Sequence, residues 1–127
     1  PNYIQVGSLN VLSGDVTIPA GGFLVVQWTG LGTTEGELAL YQEGAAGSGD
    51  FGFFGNPDNI VDYMQYGADG NGRDDVADQA GIWVEGEFIP TVATDETYSF
   101  FEEEAATSPV ESWWPGIPTP GEANREE

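Results

Sequence analysis

The residues best equipped for chemistry lie in Asp69-Gly70-Asn71-Gly72-Arg73-Asp74-Asp75. Carboxylate and amide oxygens are gathered there, with glycines that permit tight turning. Calcium takes ~6–8 oxygens at ~2.3–2.6 Å, and a loop rich in Asp and Asn is one way to supply them. Asp69, Asn71, Asp74 and Asp75 are therefore candidate calcium ligands. The spacing is not that of an EF-hand, since no Glu stands at the twelfth position and Arg73 intrudes. The competing reading is a solvated acidic turn, with Asp69 and Asn71 capping it through their side chains.

Asp62 is a second candidate, set in an otherwise apolar and aromatic run. It reads as a ligand or general base, or as a solvent-facing residue that caps a neighbouring loop. Glycoside chemistry needs two carboxyls ~5–9 Å apart, one with a raised pKa. Among 22 acids such pairs arise by chance, so spacing alone picks out none. The third set is aromatic: Trp28, Trp83, Trp113 and Trp114 with Tyr41, Tyr63 and Tyr66. Exposed, they would make a sugar-stacking platform; inside strands, as Trp28 and Trp83 suggest, they are core. Trp113 and Trp114 are adjacent, so in a strand they point to opposite faces. One of them is then exposed or meets a partner.

The chain lacks histidine, cysteine and lysine. Ser-His-Asp and Cys-His catalysis, thiolate and imidazole metal sites, disulfides and lysine Schiff bases are excluded. Two arginines stand against 22 acids, for a net charge of −20, so phosphate neutralisation on nucleic acid is excluded too. The longest purely aliphatic-aromatic run, Phe23 to Val26, is far too short for a membrane-spanning helix, and no membrane insertion is expected. The first residue is Pro1 rather than Met, which reads as a processed product or a piece of something longer. At ~0.15 M salt the Debye length is ~8 Å and at ~1 M it is ~3 Å, so this surface is penalised in dilute buffer and tolerated in brine. A salt-adapted source is expected; a calcium-rich extracellular setting is the alternative.

The elements that must position these groups are short and β-like. Asn2 to Val6, Ser8 to Leu12, Phe23 to Trp28, Glu37 to Tyr41, Asn59 to Tyr66, Ile82 to Val84 and Thr97 to Phe101 read as strands, divided by Gly, Pro, Asn and Asp. The unbroken apolar run at Phe23 predicts burial on both faces. Gln42 to Pro57 is a glycine-rich loop whose phenylalanines fold back on the core, and Asp75 to Ala80 makes one helical turn. Glu102-Glu103-Glu104 reads as a solvated charge run that guards the strand before it. No internal repeat is visible. Short strands at this spacing predict a single all-β domain over 1–127, a sandwich or barrel, with 113–127 as an extended proline-rich C-terminal segment.

The order of these segments resembles the lamin-tail domain, an immunoglobulin-like β-sandwich. Asn2-Tyr3-Ile4-Gln5-Val6 is similar to that family's "D-aromatic-I-E-L" strand, with Gln5 in place of Glu. Leu12-Ser13-Gly14 resembles its "L-S-G" turn. Ile18-Pro19-Ala20-Gly21-Gly22-Phe23-Leu24-Val25-Val26 resembles "(I/L)-P-A-G-G-aromatic-L-V-V". Ile60 to Gly67 resembles "h-V-D-x-V-x-aromatic-G", and Pro118-Thr119-Pro120-Gly121-Glu122-Ala123-Asn124 resembles "P-T-P-G-x-A-N". The resemblance implies a non-enzymatic extracellular or cell-surface module, with no catalytic residue to carry over. The family's opening strand has no counterpart before Asn2. Asn2, Tyr3, Ile4, Gln5 and Val6 would then form an open edge, to be filled by upstream residues, by the chain's own C-terminal segment or by a neighbouring subunit; with Trp113 and Trp114 they are the expected partner-binding residues. A head-to-tail contact at that edge would give a filament. No cofactor is expected unless calcium is one. The alternative is a carbohydrate- or calcium-binding accessory module of a larger secreted protein.

Overall fold

A computed structural model describes residues 3–101 and 106–124. The fold is β-rich. Among the described residues, six strands, Asn10–Ser13 (β1), Val25–Gln27 (β2), Gly36–Tyr41 (β3), Ile60–Tyr66 (β4), Thr97–Phe100 (β5) and Trp113–Gly116 (β6), accompany two short α-helices, Phe51–Phe54 (α1) and Asp74–Gln79 (α2). All strands pair antiparallel as three two-stranded sheets: β1 with β2, β3 with β4, β5 with β6.

The β3–β4 ladder organises the rest. Its register sets Glu37 opposite Gln65, Leu38 opposite Met64 and Ala39 opposite Tyr63, with an irregularity next to Leu40. Tyr63 to Tyr66 are all buried, so this stretch of β4 is covered on both faces. α2 and Trp83 lie over the face of Tyr63, the two rings meeting edge-on at 5.4 Å. On the opposite face Tyr66 packs on Tyr98 of β5 at 4.9 Å. The core is Ile60, Tyr63, Met64, Tyr66, Val76, Ala77, Trp83 and Ile89. Ile89 also bridges β4 in parallel: its N–H donates to the Gln65 carbonyl, and its own carbonyl accepts from Gly67. Gly67 sits at φ +79°, where any Cβ would run into the Thr34 carbonyl, so glycine is required at the end of this strand.

Local chemistry explains the ends of the elements. Asp50 caps α1 by accepting from Phe53 N at 3.1 Å. The 3₁₀ turn Pro109–Ser112 has Ser108 at its N-cap, and Glu111 reaches back to Thr107 N at 2.7 Å. That bond and one from the Thr107 hydroxyl hold the Glu111 carboxyl below its ordinary pKa. Thr119-Pro120-Gly121-Glu122 closes a turn with Glu122 N donating to Thr119 O, and Gly121 takes φ +76° at the position a type II turn reserves for glycine.

Three expected strands come out differently. Tyr3 to Gln5 lie outside any sheet and lead into a 3₁₀ turn over Val6–Ser8, because Ser8 N and Leu9 N bond back to Gln5 and Val6. Ile82-Trp83-Val84 is a turn region, with Ile82 N taken by the Ala77 carbonyl as the chain leaves α2. The Phe23 run is a strand only over Val25–Gln27, and Phe23 is 48% exposed, so it is not buried on both faces. Glu102-Glu103-Glu104, expected as a guarding charge run, lies outside the described residues.

Candidate functional site

The polar groups of the β3–β4 face form one connected cluster. Glu37 Oε2 accepts from the Tyr63 hydroxyl at 2.8 Å and from the Arg73 backbone N–H at 2.9 Å. The Arg73 guanidinium turns outward, and its Nε donates to the Tyr3 hydroxyl at 2.7 Å. The Tyr3 ring lies flat on Phe54 at 3.6 Å, and the Tyr41 hydroxyl donates to the Phe54 carbonyl. Burial, then the neighbouring Glu37 charge, raises the Tyr63 pKa far above its ordinary value. Burial likewise pushes Tyr41 up to about 12 and raises Tyr66. Burial works against the Arg73 charge, but the bond to Tyr3 raises its pKa overall. Tyr41, Tyr63 and Tyr66 are thus neutral hydrogen-bonding groups at pH 7.

A second cluster surrounds Gln65, which is fully buried. Its Nε2 donates to the Glu87 carbonyl at 3.0 Å and its Oε1 accepts from Asn71 N at 3.1 Å. Trp83 Nε1 shares the Glu87 carbonyl at 3.0 Å, and the Ser108 hydroxyl donates to the Glu87 carboxylate. These bonds fasten the loop after β4, the segment after α2 and the Pro109–Ser112 turn to the central strand. Tyr98 Oη is the exception: it is buried with no hydrogen-bond partner among the described residues.

The candidate calcium ligands are put to separate uses. Asp69 Oδ1 accepts from Gly70 N, Asn71 Nδ2 donates to the Ala68 carbonyl, Asp74 Oδ2 accepts from Gly86 N and Asp75 Oδ1 accepts from Val76 N. Asp74 is buried while Asp69 and Asp75 are exposed. Among the described residues no three acidic side chains converge on a point that would hold a metal ion. Asp62 is exposed and accepts from its neighbour Tyr63 N.

The expected partner-binding residues divide. Asn2 lies outside the described residues. Tyr3 is tied to Phe54 and Arg73, whereas Ile4, Gln5 and Val6 are exposed. Trp113 is half-buried and meets Phe100 edge-on at 5.3 Å; Trp114 is 51% exposed. The two side chains do take opposite faces, as adjacent strand residues must. Of the other tryptophans, Trp83 is core at 3% exposure, while Trp28 is only half-buried.

Of Glu37, Gln65, Glu87 and Ser108, which organise both clusters, all but Gln65 carry no distinguishing signal in the sequence. One acid among 22 is not marked out by its type. The one available hint was Gln65, a lone amide inside an apolar strand.

The surface has its own pattern. Beside β2, an open groove of about 450 Å³ runs between Phe23–Val26 and Thr119–Asn124. Asn124 anchors its far wall by donating to the Phe100 carbonyl at 3.0 Å. Its walls offer mainly apolar groups and a single carboxylate, Glu122, and bring no acid–base pair together. Phe23 of the groove is exposed, as are Val11, Leu12, Val16 and Ile18 earlier in the chain. Comparison of the chain with protein-family models, curated proteins and solved structures gave no match.

Proposed function

We propose that this chain is a non-enzymatic, extracellular or cell-surface structural module of a salt-adapted microbe, folded as a lamin-tail-like, immunoglobulin-like β-sandwich, and that its work is contact with other protein. One observation carries the reading. Large apolar side chains are exposed all along the first quarter of the chain, at Ile4, Val6, Val11, Leu12, Val16, Ile18, Phe23 and Leu31, while the Tyr63 hydroxyl and the buried Gln65 amide serve internal hydrogen bonds. Contiguous exposed apolar surface rimmed by polar residues marks interaction sites. The sandwich architecture draws support from the antiparallel pairing and from β5 lying over β4 through Tyr98 and Tyr66. A net charge of −20 without lysine supports the saline setting.

A second reading, a carbohydrate-binding accessory module, is favoured by Trp114 at 51% exposure. Glycan-array binding and calcium calorimetry on the purified chain separate the two. The contact-module reading expects no saturable ligand. A glycan signal abolished by Trp114→Ala, or a tight calcium isotherm selective over magnesium, overturns it.

A further inference from the structure

We propose that the β1–β2 hairpin is a self-contact surface, and that its occupant is the same hairpin of a second copy. This inference rests on the contact-module reading and names the partner. A lone two-stranded hairpin is marginal in water, because it has no second layer to bury its side chains. This hairpin has apolar residues on both strands and beyond, with Leu12 at 61% and Phe23 at 48% exposure.

Charge selects the partner. Between Ile4 and Thr34 the only ionisable side chain is Asp15; every other acid lies from Glu35 onward. Two molecules of net charge −20 repel wherever carboxylates meet. Neither strand of the hairpin carries a carboxylate, so two copies meeting there bring few together, Glu122 of the adjoining groove being one of them. A cationic partner would be recognised by acids, and this surface offers almost none.

The contact is face to face rather than edge to edge. The register of β1 slips between Val11 and Ser13, leaving Leu12 as an unpaired bulge that breaks the outer edge. Residues of the Thr119–Asn124 segment line a groove with Phe23–Val26, beside β2. Face-to-face packing of identical surfaces is isologous and closes at two copies, so the product is a dimer. A filament would need a second, different contact.

The test is sedimentation velocity on the whole chain at ~0.15 M and ~2 M NaCl, conditions that span strong and negligible screening. The wild type should dimerise, more tightly at high salt. Leu12→Asp and Phe23→Asp should each weaken the dimer at least ~10-fold by placing like charges in its centre, with unchanged circular dichroism. Hydrogen exchange on the wild type needs no variant: amides of Asn10–Ser13 and Val25–Gln27 should gain protection as concentration rises. A monomer at both salts, or a dimer that survives both substitutions without that protection, overturns the self-contact. Neither result touches the contact-module reading, which fails on ligand binding instead.

Discussion

Removing the Glu37 carboxylate tests whether the β3–β4 face is held by the cluster described above. Glu37 Oε2 takes two donors, the Tyr63 hydroxyl at 2.8 Å and Arg73 N at 2.9 Å. Hydrogen bonds to charged acceptors contribute ~1.5–3 kcal/mol each, at the low end where the acceptor is half solvated, as Glu37 is. Glu37→Ala loses both and leaves the hydroxyl of Tyr63, a residue only 2% exposed, without a partner. The expected cost is ~3–4 kcal/mol. Relief of self-repulsion offsets a few tenths of this, since one of many like charges is removed. Tyr63→Phe deletes only one bond and should cost ~1.5 kcal/mol.

The two changes share a bond, so they must not add. A double-mutant cycle by urea denaturation in high salt should give a coupling of ~1–2 kcal/mol. Additivity within ~0.5 kcal/mol would refute the cluster, and so would a Glu37→Ala cost below that figure. Glu37→Gln keeps one acceptor oxygen without the charge and should fall between wild type and Ala.

Tyr98→Phe is the counterpart: it removes a buried hydroxyl that has no partner, so it should be neutral or stabilise by up to ~1–2 kcal/mol in the same urea assay. Alkaline pH should destabilise the fold. Tyr41 is raised from 10.0 to about 12 and Tyr63 is raised further, so both stay neutral in the native state while the unfolded chain ionises. Their contribution is complete below pH ~10 and is lost as pH rises through the folded values; a thermal midpoint that stays flat between pH ~10 and ~12 would contradict this. The thermal midpoint should also rise from ~0.1 M to ~2 M NaCl as screening relieves carboxylate repulsion, and a flat or falling curve would remove the salt-adapted reading.

The strands with tertiary cover were the legible ones. Asn59 to Tyr66 reads as an apolar, aromatic run ended by a glycine-rich breaker, and β4 is found at Ile60–Tyr66. The helical turn after it, the fold-back of Phe53 and Phe54 and the opposed Trp113 and Trp114 were equally readable, because each depends on local spacing; Phe51, expected to fold back with them, is 65% exposed. The Tyr3 segment was not. An alternating pattern identifies extended backbone, but whether that backbone joins a sheet depends on what the side chains meet. Tyr3 meets Phe54 and Arg73, residues far along the chain, and the Ser8 and Leu9 amides close a turn instead of a ladder. The polar cluster was hidden for a different reason. Carboxylates are so numerous here that only geometry separates Glu37, which accepts twice beneath β4, from acids that face water.

Under the self-contact proposed above, the uneven placement of charge would make this chain selective for its partner. Specificity is a difference between right and wrong contacts, and repulsion from the wrong ones serves as well as attraction to the right one. From Glu35 onward, acids are scattered over strands, helices and loops, so chance encounters through those surfaces meet like charge. The hairpin segment carries Asp15 alone and exposes its apolar side chains. Its attraction is hydrophobic and needs no counter-charge, so screening leaves it intact while the repulsion around it shortens to ~3 Å at ~1 M salt. In the self-contact proposed above, the composition that strains the isolated molecule in dilute buffer would direct association to one face in brine.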